Sequence, residues 1–402
     1  MQTHLPAELL KLSTGMEADE ILRSCVHCGF CLATCPTYQL LGDELDSPRG
    51  RIYQIKLALE GAPISQNTQT HLDRCLTCMN CETTCPSGVQ YHRLLDIGRE
   101  YVESRVQRSW LQRLFRWSLR KILPFPKRLA PLVHLGRVFK PLLPGTLKKK
   151  IPARQMLHKT VQTPHNRKML LLSGCAQAVM TPATNHAAKA VMAKLGVELL
   201  EINTAGCCGA VSQHLSASDE ASRFMKKNID AWWPFVEAGA EAIIITASGC
   251  GVMVKDYATY LVNDPDYADK AKIISEMSKD LSEVISIDDM EKLGKGENQT
   301  ISFHSPCTLQ HGQKLAGVVE SLLMAAGYQV QHVDESHLCC GSAGTYSILQ
   351  PALSDELKQR KIDKLLASNP DLLVTANVGC QLHLQTATDR KVMHWIELFH
   401  SN

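Results

Sequence analysis

The chain has 402 residues, 45% of them hydrophobic and 21% charged, with a formal net charge of +3. That length exceeds one small domain and implies two or three, and the near-neutral charge does not call for a nucleic-acid partner. Sixteen cysteines are too sparse for a disulfide-stapled scaffold and fall in metal-ligand spacings, so reduced thiols are expected. No signal-peptide core and no apolar run of membrane-spanning length is present, so the expectation is a cytoplasmic protein that at most lies on a membrane surface.

Residues 7–22 have apolar positions at loosely helical spacing and should cover the cysteine run beginning at Cys25. That run is Cys25-Val-His-Cys28-Gly-Phe-Cys31-Leu-Ala-Thr-Cys35-Pro36, answered by Cys75-Leu-Thr-Cys78-Met-Asn-Cys81-Glu-Thr-Thr-Cys85-Pro86. Both are C-x2-C-x2-C-x3-C-P, the ligand run of two-cluster ferredoxins, in which the fourth cysteine serves the other cluster. The proline turns the chain away without needing a backbone N–H. The spacing therefore assigns Cys25, Cys28, Cys31 and Cys85 to one [4Fe-4S] cluster, and Cys75, Cys78, Cys81 and Cys35 to a second, close enough to exchange electrons. Zinc also binds C-x2-C pairs, but it has no use for a third cysteine in step and a fourth before proline, twice over. Between the runs, Ser47 and Pro48 read as the N-cap and first residue of a helix that buries Ile52, Ile55 and Leu59. An insert of this size points to an all-helical ferredoxin domain.

From Ser104 to Val197 there is no Asp or Glu, while residues 104–150 are rich in Arg and Lys. Leu111, Leu114, Phe115 and Ile122 share a helical face, with Trp110 and Trp117 beside it, and prolines from Pro124 onward break the stretch into short pieces. A basic, Trp-containing amphipathic helix suits an anionic membrane surface or an acidic partner, through cations such as Arg113, Arg116 and Arg120. The plainer reading is a basic linker lying across its own domains. RNA binding is weaker because no RNA-binding motif accompanies the charge.

The remainder repeats. Cys175, Cys207 and Cys208 recur as Cys307, Cys339 and Cys340 at an offset of 132 residues, and Cys250 recurs as Cys380 at 130. Such agreement indicates an internal duplication. Each copy alternates strands and helices: strands over 168–172, 197–202 and 242–246 with a helix over 184–195, and in the second copy strands over 301–303, 328–333 and 371–376 with a helix over 313–326. The cysteines all fall beyond strand C-termini, where open α/β sheets bind ligands. For each set three readings stand: buried structural cysteines, a catalytic dithiol, or a metal centre. The candidate ligands are Cys307, Cys339, Cys340 and Cys380, ranked ahead of Cys175, Cys207, Cys208 and Cys250.

Paired ferredoxin runs followed by two Cys-Cys-Gly domains resemble the iron–sulfur subunits of membrane-associated flavin dehydrogenases and heterodisulfide reductases, the glycolate oxidase (glycolate dehydrogenase) family in particular. The resemblance extends through His27-Cys28-Gly29-Phe30-Cys31, Asp73-Arg74-Cys75-Leu76-Thr77-Cys78, Thr246-Ala247-Ser248-Gly249-Cys250 and His337-Leu338-Cys339-Cys340-Gly341. It implies an α+β multidomain chain: a helical ferredoxin domain over 1–103, a basic linker over 104–167, and two duplicated α/β cysteine-rich (CCG) domains over 168–298 and 299–402. It also implies an oxidoreductase subunit that carries electrons from FAD on flavin-containing partners, which oxidise glycolate, D-lactate or related 2-hydroxy acids, to membrane quinone. The chain alone would have no catalytic residue. No G-x-G-x-x-G follows a predicted strand, in keeping with a flavin held elsewhere. Peripheral attachment to the cytoplasmic face of the inner membrane and one or two further clusters in the CCG domains belong to the same expectation. Subunits of glycerol-3-phosphate or lactate dehydrogenases share the cysteine framework and remain alternatives, as do a thiol-disulfide reductase and a zinc-stabilised scaffold. Against the reductase, the C-x-x-C that ends the double-cluster CCG domains is replaced by Met253 after Cys250 and His383 after Cys380. His383 stays open as a ligand.

Overall fold

A computed structural model describes residues 1–142, 144–155, 157, 164–293, 296 and 298–400. The regular elements of the first 103 residues are all helices, as the long insert between the two cysteine runs leads one to expect. Ser47 accepts from the backbone N–H of Gly50 and Pro48 opens the Pro48–Leu59 helix, whose buried face includes Ile52, Ile55 and Leu59. That face packs on the Tyr91–Glu103 helix and meets Leu94 and Leu95, both fully buried, while Gly98 allows the close approach of Ile55. The expected covering helix forms over Ser13–Ser24 and buries Ala18, Ile21 and Leu22.

The duplicated half contains two four-stranded parallel sheets. The first is built from β1 (Arg167–Leu171), β2 (Val197–Glu201), β3 (Ile243–Ile245) and β4 (Ser278–Asp280), in the order β2-β1-β3-β4. The second repeats it with β5 (Thr300–His304), β6 (Gln329–Val330), β7 (Leu372–Thr375) and β8 (Val392–His394), in the order β6-β5-β7-β8. The edge strands β4 and β8 have three residues each and escape a periodicity search, and only two residues of the expected 328–333 strand pair with β5. The expected 313–326 helix begins later, at Val318. A π-helical turn over Thr308–Gly312 and left-handed Lys314 and Gly317 take up its first residues.

The two copies share one apolar core, in which Met169, Leu171 and Val191 of the first join Ile301, Phe303 and Trp395 of the second. The terminal turn Trp395–Phe399 lies against the Pro182–Lys194 helix of the first copy, and Thr184 donates to Glu397 across that contact at 2.6 Å. At the strand ends the copies bond directly. The Ser248 N–H donates to the Ala376 carbonyl at 3.2 Å, and His394 Nε2 donates to the Thr246 carbonyl at 2.9 Å.

The basic stretch forms helices over Trp110–Ile122, Pro126–Val138 and Gly145–Lys150. Its orientation divides the two sequence readings. The cationic face of the Trp110–Ile122 helix turns inward: Arg116 pairs with Asp73 at 2.8 Å, and Arg120 and Lys121 both pair with Glu220 of the first repeat. Arg116 and Arg120 are therefore internal ties, contrary to the expectation that they face a partner. The apolar face turns outward, leaving Trp110, Leu111, Leu114, Phe115 and Trp117 each 46% exposed or more, with Arg113 at their edge. No helix among the described residues is long and apolar enough to cross a membrane.

Candidate metal centres

The sixteen cysteines form no disulfide and gather into four groups. One cavity is lined by Cys25, Cys28, Cys31 and Cys85, with Cys81 on its wall, and a second by Cys75, Cys78, Cys81 and Cys35. Each run thus contributes its first three cysteines to one cavity and its fourth to the other, with Cys81 between them. The winding of each loop depends on paired left-handed residues at matching places, His27 and Gly29 in the first and Thr77 and Met79 in the second. Three of these four are not glycine. A side chain held at positive φ costs energy, and such residues persist where the surroundings over-determine the turn.

Burial pushes the Cys31 thiol up to about 11 and those of Cys78 and Cys81 well above the ordinary range. Taking up metal on such thiols must release their protons. A buried cation meets that demand at the second cavity. Arg51, 1% exposed, donates to the His71 carbonyl at 2.8 Å and to Thr37 Oγ1 at 3.1 Å, with Nη1 4.0 Å from Cys35 Sγ. Asp46, fully buried, holds it at 3.2 Å and takes Arg74 at 2.8 Å. The Tyr91 hydroxyl lies 3.6 Å from Cys75 Sγ. A fixed positive charge and hydrogen bonds at sulfur favour the reduced, more negative state of an iron–sulfur centre.

In the repeats the thiols converge beyond the strand ends as the sequence indicates. Cys207 touches Cys175 and Cys208, and Cys208 touches Cys250. In the second copy Cys307 and Cys339 lie 3.7 Å apart, Cys340 follows, and Cys380 completes the series. The glycine after each Cys-Cys pair has a steric reason: Gly209 and Gly341 have φ of 96° and 85°, and a Cβ on Gly341 would lie 2.6 Å from the Ser354 carbonyl. Around the first set Asn228, fully buried, donates to the Cys207 carbonyl at 2.9 Å and accepts from the Gly206 N–H at 2.8 Å, while the Tyr257 hydroxyl donates to the Cys208 carbonyl at 2.9 Å. Arg51, Tyr91, Asn228 and Tyr257 have no sequence signature, because each is a single polar residue inside an ordinary helical pattern. His383 Nε2 is engaged by the Ser354 hydroxyl at 3.2 Å.

The second cavity adjoins the second repeat. Leu76, Cys78, Cys307, Cys339, Tyr346 and Leu357 form one buried cluster, and Asn80 bridges the Thr34 and His337 carbonyls at 3.0 and 3.1 Å. Thr83 reaches His311 at 2.9 Å beside it.

Residues 21–89 match the family described as a 4Fe-4S dicluster domain, and residues 169–255 and 301–385 each match a cysteine-rich domain. The glycolate oxidase iron–sulfur subunit of Escherichia coli strain K12 is 52% identical over 400 residues, covering 99% of this chain and 98% of that one. The chain belongs to the glycolate oxidase iron–sulfur subunit family. It is an iron–sulfur, electron-transfer subunit of the oxidoreductase type, and the three matched regions are those that gather the thiols. A Bacillus subtilis strain 168 protein, named a probable glycolate oxidase iron–sulfur subunit, is 28% identical across 94% of this chain and 91% of its own. A crystal structure of a hypothetical protein from Helicobacter pylori shares the fold with a TM-score of 0.54 at 10% identity, covering 97% of this chain and 72% of that one.

Removing the carboxylate of Asp46 takes from buried Arg51 its carboxylate partner and leaves only the more distant ligand sulfurs to balance it. Asp46→Ala should therefore cost about 3–5 kcal/mol, seen as a lower midpoint in anaerobic denaturant unfolding. An unchanged midpoint would show that the ligand sulfurs or solvent balance Arg51 without Asp46.

Proposed function

We propose that the chain is the electron-transfer subunit of a glycolate-oxidising complex, taking electrons from an FAD-containing partner and delivering them to membrane quinone. The observation that carries this reading is continuity. The cavity of Cys25, Cys28 and Cys31 shares Cys81 with the cavity of Cys75 and Cys78, and Cys78 packs in one buried cluster with Cys307 and Cys339. The two cavities take one [4Fe-4S] cluster each, ligated crosswise by Cys25, Cys28, Cys31 and Cys85 and by Cys75, Cys78, Cys81 and Cys35. The second-repeat set, Cys307, Cys339, Cys340 and Cys380, takes a third, and Cys175, Cys207, Cys208 and Cys250 form the remaining candidate. Such clusters accept and release single electrons without moving atoms far. Glycolate as the substrate of the complex is taken from the names of the relatives, and the placement of the cysteines supports a flavin held on the partner. The strand ends at which an open parallel sheet binds a nucleotide are given over here to cysteines.

The outward apolar face of the Trp110–Ile122 helix supports docking on an anionic membrane surface on the cytoplasmic side. Its Trp and Leu side chains point away from the domains, the Pro126–Val138 helix adds exposed Leu132, Leu135 and Val138, and Arg113, Lys127, Lys148 and Lys149 are exposed around them. Apolar side chains enter the headgroup boundary while neighbouring cations meet anionic lipid.

The function is tested in the assembled complex. With Cys78→Ser, glycolate should still reduce the flavin of the partner, because hydride removal precedes any step on this chain, while quinone reduction is lost. Full-rate quinone reduction by that complex, or by one lacking this chain, would sink the reading. Crosswise ligation predicts that Cys35→Ser disturbs the EPR signal of the cluster on Cys75, Cys78 and Cys81 more than that on Cys25, Cys28 and Cys31. Selective loss of the latter would refute it. For the membrane, replacing Trp110, Leu114 and Trp117 by Ser should lower binding to anionic vesicles by roughly tenfold or more, about 1.4 kcal/mol, without loss of iron. Equal partition of this variant and the wild type would rule the helix out as the anchor.

A further inference from the structure

The two repeat cysteine sets occupy matching places, but their walls do not match. The offset of 132 residues that relates Cys307 to Cys175 also relates His304 to Leu172, and the offset of 130 that relates Cys380 to Cys250 relates Thr375 to Ile245. In the first copy Leu172 and Ile245 are buried in the same apolar cluster as Cys175, Cys207 and Cys208. In the second copy His304 ends β5 and is paired in register with Thr375 of β7. Lys361, the counterpart of Ile229, lies buried near the same thiols, its ammonium held by the Glu335 and Ser336 carbonyls.

His304 is 3% exposed, and its two ring nitrogens have different surroundings. Nδ1 is 3.0 Å from the Thr375 hydroxyl oxygen, and that hydroxyl donates its own hydrogen to the His304 carbonyl at 3.1 Å. The Thr375 oxygen can then only accept from the ring, so Nδ1 carries the hydrogen and Nε2 presents a lone pair. Nε2 has no hydrogen-bond partner among the described residues, yet its position is not apolar: one ring nitrogen of His304, Cys340 Sγ and Cys380 Sγ all lie within 4.8 Å of one another, and with Nδ1 engaged by Thr375 it is Nε2 that is left to face the two sulfurs. Buried acceptors are rarely left unsatisfied. Once Cys340 and Cys380 are thiolates they offer no hydrogen to this lone pair, and a shared metal ion is what satisfies all three donors. Their spacing fits donors on one ion, which sit about 2.0–2.3 Å from it. An imidazole held through its other nitrogen is the usual arrangement of a metal-bound histidine.

We propose that His304 ligates, through Nε2, the iron held by Cys340 and Cys380 in the second repeat, with Thr375 positioning the ring. This rests on the reading that the second set carries an iron–sulfur centre. It makes that centre a mixed nitrogen and sulfur site, whereas Leu172 leaves the first set with sulfur alone. Nitrogen in place of sulfur raises the reduction potential of an iron–sulfur centre, and the Lys361 charge acts in the same direction.

The test uses the full-length, anaerobically purified chain with natural and 15N-labelled histidine, examined by pulsed EPR with the repeat centre poised in its paramagnetic state, alongside iron and labile-sulfide counts. Wild-type protein should show a directly coordinated imidazole nitrogen that changes with the label. His304→Leu, which installs the residue of the first copy, should abolish that coupling and lower the potential of one centre, leaving the signals of the eight ferredoxin cysteines unchanged. If iron beyond the ferredoxin complement is present and is lost in Cys380→Ser, but wild-type protein shows no coordinated nitrogen or the coupling survives in His304→Leu, the His304 assignment is overturned while the cluster remains. If Cys380→Ser leaves the iron count unchanged, the second set holds no iron–sulfur centre, and both readings fall together. Because the wild-type spectrum alone decides ligation, a poorly folding variant does not remove the test.

Discussion

Gathering unbridged sulfur atoms in groups of four inside a protein is the constraint that the rest of the structure answers. Left as thiols they are ordinary small hydrophobes. As metal ligands they are anions, and a group of anions in a low-dielectric interior has to be neutralised and hydrogen-bonded. At the second ferredoxin cavity the answer is Arg51, held in place by Asp46 and aimed at Cys35, with Tyr91 on Cys75. At the first repeat it is a scaffold of Asn228 and Tyr257 that secures the carbonyls of the Cys-Cys pair. The strained turns at His27, Thr77 and Met79 belong to the same answer, since they bring three sulfurs of one short loop into one cavity.

What could be read from the sequence was what repeats. Two runs offset by 50 residues, and two cysteine sets offset by 132 and 130, are patterns whose physical cause is a fixed ligand geometry, and the thiols lie together where those patterns indicate. The Ser47 cap and the strands β1, β2, β5 and β7 were legible for the same reason: each has a local signal of capping or apolar continuity. The edge strands β4 and β8 had none. At three residues each they are set by the sheet they complete, not by their own composition. The second-repeat helix was placed too early because the apolar pattern of 313–326 says nothing of the left-handed turn at Lys314 and Gly317.

The basic stretch shows a different kind of limit. Amphipathicity establishes that a helix has two faces and leaves open which one is turned inward. Here the usual assignment is inverted, because Asp73 and Glu220 supply anionic sites that the stretch itself lacks, and the cations settle on them. The linker reading describes the basic face, which straps the helix across its own domains, while the apolar face is left exposed. Nothing local to residues 104–150 records the positions of Asp73 and Glu220.

The arrangement also gives the chain of cysteines two unlike ends. At one end Cys28 is exposed, flanked by Val26 and Phe30 at 67% and 65% exposure, so the first cavity opens on an apolar surface of the kind a protein partner covers. At the other end Cys307, Cys339, Cys340 and Cys380 are all buried, with Lys361 beside them and His304 where the first copy has leucine. A buried cation stabilises the more negative, reduced state of a centre, while burial itself opposes that charge and water at the open end supports it. What joins the exposed end at Cys28 to the second repeat is proximity, through Cys81 and Cys78. The duplication supplied two equivalent frames for four sulfurs. The second, whose Cys307 and Cys339 pack in one buried cluster with Cys78, is the copy that adjoins the ferredoxin pair.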